Sequence, residues 1–278
     1  MSDKNKMILI MAIISTLGLI CIGLIGYISY PQITGNNELY NLEYAYQPNT
    51  IYSYDIVQTI EPGDEIVFMN ISMLASDDGE DVRINMISNA TKDEDYVLST
   101  NNVTIDRRGN LIKQDKNSDF LPEVRPEIPI RIIYPEGGVI NHSSWVINLN
   151  KTGSYITSNE IIEYNLTGVV AYYCKGLQTV KVKDNTFSCI CIESNTTYNL
   201  YTKSNTSNGY LYAMATGKID GSNWVDAEKG FLVKAVYNQN STLSQDYSDI
   251  CKKMGLFNSF KAEIPTSAHV TSDIIKYS

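Results

Sequence analysis

The stretch IEYNLTGVVAYYC, residues 162–174, alternates with a period of two. Ile162, Tyr164, Leu166, Val170, Tyr172 and Cys174 share one parity; Glu163, Asn165 and Thr167 share the other. A strand sends successive side chains to opposite faces, so this pattern reads as a strand with one face in a core and one in water. Downstream, QTVKVKDNTFSCICIE (178–193) holds two short apolar runs around Lys183-Asp184-Asn185-Thr186. Asp and Asn favour turns, so a hairpin is predicted there, with Val182 facing Phe187 and Val180 facing Cys189.

The same alternation predicts strands at 51–60, 64–74, 81–88, 95–107, 128–134, 196–203, 209–218 and 230–238, with final strands at 258–264 and 267–276. Twenty tyrosines and frequent Ile and Val fit strands. Residues 243–257, LSQDYSDICKKMGLF, show the helical spacing, with Leu243, Tyr247, Ile250 and Met254 on one side. No linker divides the β region, and a domain of this length forms one all-β unit. The expected fold is mainly β: a curved antiparallel half-barrel, or alternatively a β-sandwich, with one late helix.

Residues 7–30, MILIMAIISTLGLICIGLIGYISY, carry no charge. About 20 apolar residues span a bilayer, and this run exceeds the roughly 7–15 of a cleaved signal peptide. Lys4 and Lys6 precede it, and the next basic residue is Arg83, so the positive-inside rule keeps the N-terminus in the cytoplasm. The expected organisation is a cytoplasmic tail (1–6), a transmembrane signal anchor (7–30), a polar stalk (31–48) and an extracellular domain (49–278). The protein would then sit in the cell membrane as a single-pass chain.

Nine N-x-S/T sequons begin at Asn70, Asn89, Asn102, Asn141, Asn150, Asn165, Asn195, Asn205 and Asn240. Random placement would give roughly four, and only a translocated chain uses them as glycan acceptors. Outside the anchor lie four cysteines, Cys174, Cys189, Cys191 and Cys251. An even number in an extracellular segment points to two structural disulfides, and four cysteines allow three pairings. Cys189 and Cys191 share one strand and point the same way, so their partners are expected elsewhere. Cys251 is expected to tie the helix to the sheet.

No catalytic, cofactor or metal constellation is evident. His142 and His269 stand apart from any triad pattern. The acidic runs DDGED (77–81) and KDED (92–95) lack calcium-loop spacing. EGG (136–138) is too short for a phosphate loop. Trp145 and Trp224 read as core anchors. A net charge of −9 without a basic run argues against nucleic acid.

The order VTIDRRGNLI (103–112), LPEVRPEIPIRIIYPEGGVINHSSW (121–145), YNLTGVVAYYCKGLQTVKVKDNTFSCICIE (164–193), GYLYAMATG (209–217) and NWVDAEKGFLVK (223–234) resembles the lipoprotein-carrier-like half-barrel superfamily. Within it, the resemblance is to uncharacterised membrane-anchored surface proteins of methanogenic archaea. It implies a curved sheet whose concavity binds a lipid or other hydrophobic envelope ligand, and it supplies no site residues. The alternative is a structural or adhesive cell-envelope glycoprotein without a pocket. Either way a non-enzyme is expected, with the membrane and an envelope component as partners.

Overall fold

The computed structural model describes residues 38–278, leaving aside 64, 78, 80, 93–94, 116–120, 157–159, 257–258 and 278. The tail, the apolar run at 7–30 and residues 31–37 lie outside the described residues. Among the described residues no helix is long and apolar enough to cross a membrane.

The chain is mainly β. In order it forms β1 (Leu39–Tyr40), β2 (Thr50–Glu61), β3 (Glu65–Asp77), β4 (Asp81–Lys92), β5 (Asp95–Asp106), β6 (Leu111–Gln114) and β7 (Val139–Ile140). There follow β8 (Ser144–Ile156), β9 (Ile161–Val182), β10 (Asn185–Thr206), β11 (Gly209–Asp226), β12 (Leu232–Asp246), helix α1 (Ser248–Lys253) and β13 (Lys261–Tyr277). β1 pairs with β7. The other eleven strands make one antiparallel sheet, ordered β6-β5-β4-β3-β2-β13-β12-β11-β10-β9-β8. It is a curled half-barrel and not a sandwich. Two meanders are joined where β13 lies against β2, with Val270 opposite Gln58.

The alternation at 162–174 belongs to a 22-residue strand, β9, that also takes in the run predicted separately at 178–182. Its hairpin partner β10 is equally long, and the connection is two residues, Lys183 and Asp184, not four. Lys183 adopts a left-handed φ of +52° to make it. Pairing therefore shifts by two: Val180 faces Phe187, and Cys189 faces Gln178.

Three other expectations are corrected. The strand predicted at 128–134 is irregular backbone. Pro122, Pro126 and Pro129 have no N–H to give a ladder, yet the apolar residues between them are buried. The helix predicted at 243–257 shrinks to Ser248–Lys253. Residues 243–246 stay in β12 because both flanks are paired, Asp246 with Tyr212 on one side and Lys261 on the other. The end of the stalk is core: Leu42, Tyr44 and Tyr46 are buried. That stretch is held by Tyr44 N–H on the Arg107 carbonyl and Ala45 N–H on the Lys229 carbonyl.

Topology explains the core. β6 and β8 are the two edges of the sheet, so the chain between them must travel from one edge to the other. Its Leu121, Val124, Ile128, Ile130, Ile132 and Tyr134 are buried in one cluster with the inward faces of β2, β3, β4, β9 and β12. An apolar connection crosses through the concavity because the opposite face would leave it in water.

Candidate functional site

The concavity is the natural place to seek a site, and the chain itself fills it, with residues 42–46 and 121–134 as a plug. Tyr44 donates to the Ile132 carbonyl at 3.1 Å, Tyr134 to Gly230 at 2.8 Å, and Tyr172 to Arg131 at 3.0 Å. Trp145 stacks on Tyr172, 5.0 Å between centroids, and its indole N–H donates to the Ile133 carbonyl at 2.8 Å. Each aromatic from a strand or plug thus buries its ring and satisfies its polar tip on backbone that has no ladder partner. Trp145 and Trp224 are both partly buried and packed against the core. Trp224 is half-buried and donates to the Gln178 amide oxygen at 2.9 Å.

One polar cluster lies inside this packing. Arg131, 7 % exposed, stands 4.3 Å over the Tyr237 ring. Its guanidinium donates to the Glu123 carbonyl at 3.3 Å, and the Glu123 carboxylate pairs with Lys151. Tyr237 donates to the Asn223 side chain. Burial raises the Tyr237 phenol, and Arg131 opposes that rise. The cleft among Glu123, Arg131, Thr196, Asn223 and Tyr237 holds about 200 Å³ of interatomic space, with no room for a water molecule. It is a buried ionic contact between plug and sheet. Sequence reasoning missed it because Arg131 lies in the run predicted as a strand at 128–134, and nothing local joins it to Glu123 or to Tyr237, which comes far later in the chain.

Other hollows are open to solvent. One is lined by Glu61, Pro62, Thr216, Thr242 and Pro265 at the rim of the sheet. His142 and His269 are exposed, beside Tyr173 and Asn238 respectively. Among the described residues no group of three or more His, Cys, Asp or Glu is placed to hold a metal ion. The acidic runs at 77–81 and 92–95 fall partly outside the described residues.

The four cysteines divide. Cys174, Cys189 and Cys191 are buried near the bulge where β9 and β10 shift register, between Cys191 and Ile192. Cys251 is on α1, which packs beside the start of β11: the Tyr210 N–H donates to Asp249 at 2.9 Å. Cys191 pairs with Trp224, near the other end of β11. From Gly209 to Trp224 the strand runs some 50 Å at about 3.3 Å per residue. Every two-disulfide pairing needs Cys251 to reach one of the other three, so two disulfides within one chain do not fit this fold. Nor does Cys251 tie the helix to the sheet.

Burial pushes the Cys189 thiol up to about 12, helped by Asp226 and Cys191. It pushes Cys191 up to about 11 against the pull of Lys175, and it raises Cys174. The thiolate is the nucleophile, so these three are expected to be inert near neutral pH. Alkylation of the native protein followed by peptide mapping is expected to mark Cys251 and none of Cys174, Cys189 and Cys191. Labelling of Cys189 as fast as Cys251 would refute the buried placement.

All eight strand-borne sequons place their asparagine on the convex side of the sheet. Asn102, Asn150, Asn165, Asn205 and Asn240 are exposed; Asn70, Asn89 and Asn195 are half-buried. Asn141 lies in the turn after β7, half-buried.

No protein-family profile matches the chain, and no curated protein matches it. Among solved structures it is similar to OmpT, an outer membrane protein of Vibrio cholerae, in its trimer form folded in vitro, at a TM-score of 0.22 and 8% identity. It is also similar to a loop-deletion mutant of the same protein, at 0.24 and 9%. Each match covers 81% of this chain and 98% of that one. Scores of this size establish no shared fold.

Proposed function

We propose that this chain is a non-catalytic cell-envelope protein, structural or adhesive, anchored by its apolar segment at 7–30 and displaying the half-barrel outside the cell. What carries this reading is the filled concavity. A lipid carrier leaves its curved sheet open for acyl chains, and a hydrophobic site spans a few hundred Å³. Here Tyr44, Tyr46, Ile130, Ile132 and Tyr134 occupy that space. The lipid-binding alternative would require the plug to leave, exposing these side chains and breaking the tyrosine-to-carbonyl bonds at Ile132, Gly230 and Arg131.

The test is lipid retention. The full chain, purified in detergent and exchanged into a short-chain detergent, is expected to release no stoichiometric acyl mass on solvent extraction. It is also expected not to quench or shift a fluorescent fatty acid that serum albumin binds in parallel. One tightly held acyl chain per protein would replace this reading with a lipid-binding one.

A further inference from the structure

We infer that the convex face of the sheet is coated by the chain's own N-linked glycans, a reading that rests on the extracellular placement proposed above. The sequon spacing matches the strand period. In N-x-S/T the asparagine and the hydroxyl residue are two apart, and a strand returns to the same face every two residues. Asn150 and Thr152, Asn165 and Thr167, Asn195 and Thr197, and Asn240 and Thr242 therefore each stand side by side on the convex face. Register locks the set together. Asn70 is directly opposite Asn89, Asn195 opposite Asp220, and Asn240 opposite Lys218. The strand asparagines on the concave parity, Asn101 opposite Met86 and Asn223 opposite Ala235, are followed by Asn-Val and Trp-Val and are not sequons.

A second observation says what such glycans would cover. The convex face carries large apolar side chains in water, including Phe68 (58%), Val146 (58%), Tyr201 (44%) and Met214 (47%). They neighbour the sequons. Phe68 stands two residues before Asn70, and Tyr201 lies directly opposite Asn165 and beside Met214. An exposed sheet face of this kind invites association, and flexible hydrophilic chains attached within one residue spacing would screen it.

The asparagines are not equivalent. Asn70 donates to Asp55 at 3.2 Å, Asn102 to Asp115 at 2.7 Å, and Asn195 to Asp220, so a glycan on these nitrogens would cost a hydrogen bond. Asn150, Asn165, Asn205 and Asn240 are exposed, and no side-chain hydrogen bond ties them among the described residues. These four are the expected acceptors.

The experiment uses the full chain in a host that glycosylates N-x-S/T, with a flexible Asn-Gly-Thr reporter appended at the C-terminus. Glycopeptide mapping is expected to find the reporter modified and glycan at Asn150, Asn165, Asn205 and Asn240. The quadruple Asn→Gln variant is expected to lose most of the added mass from the sheet. Enzymatic removal of the glycans under native conditions is expected to raise binding of an apolar dye severalfold. A modified reporter with bare strand sequons overturns the inference and leaves the outward topology standing. A bare reporter overturns both. Dye binding unchanged by deglycosylation overturns the screening role.

Discussion

Gly230→Ala is expected to lower the stability of the protein by about 3–5 kcal/mol, read as a fall in the urea midpoint at unchanged slope. Gly230 has a φ of +66°, which costs any residue with a Cβ roughly 1–2 kcal/mol. A methyl group there would also overlap the Glu43 backbone, with the carbonyl carbon at 2.8 Å. That backbone cannot yield cheaply. The neighbouring Ala45 N–H is bonded to Lys229 at 3.0 Å, and Tyr134 donates to the Gly230 carbonyl at 2.8 Å. Gly137→Ala is the control, since Gly137 has a φ of +84° and nothing within 4 Å of its absent Cβ. Strain alone predicts a loss of about 1–2 kcal/mol there. Equal losses at the two sites would mean that the close approach of residues 43–46 to the β11–β12 turn is not what demands glycine.

The second large effect concerns the buried ions. Lys151→Met is expected to cost about 3–5 kcal/mol, because it leaves the Glu123 carboxylate, whose side chain is 2% exposed, buried without its partner, and Glu123→Leu is expected to cost less. The double variant is expected to cost less than the two singles added together, by about 1–2 kcal/mol. Arg131 bonds the Glu123 main-chain carbonyl and sits over the Tyr237 ring, contacts that neither change removes. Lys151, whose side chain keeps 27% of its exposure, is left to find water once the Glu123 carboxylate is gone. A double-mutant cycle followed by urea unfolding measures this. Additive losses would show that plug and sheet are joined by apolar packing alone, with the ions as passengers.

Much of the architecture was legible one strand at a time. The alternation of Ile162, Tyr164 and Leu166 against Glu163, Asn165 and Thr167 named a strand and its two faces, because side-chain period is a local property of extended backbone. The convex placement of Asn150 and Asn165 was readable in the same way. Where one strand stops was not. Lys183 and Asp184 make a shorter turn than Lys183–Thr186 suggested, and the ladder then carries β10 unbroken to Thr206. Apolar spacing favoured helix from Leu243, but ladder bonds to β11 and β13 outweighed it through Asp246.

The sequence by itself determined that this is a β protein with polar and apolar faces on each strand, and that its hydroxyl-paired asparagines share the polar one. Only the tertiary structure decided what fills the curve. Proline forbids Leu121–Tyr134 a place in the ladder, yet their apolar side chains must leave water, and the two edges they connect lie on opposite sides of the concavity. That route through the middle is a property of strand order. It also set Cys251 beside the start of β11 and Cys191 beside its far end, and brought Glu123 and Arg131 together with Tyr237.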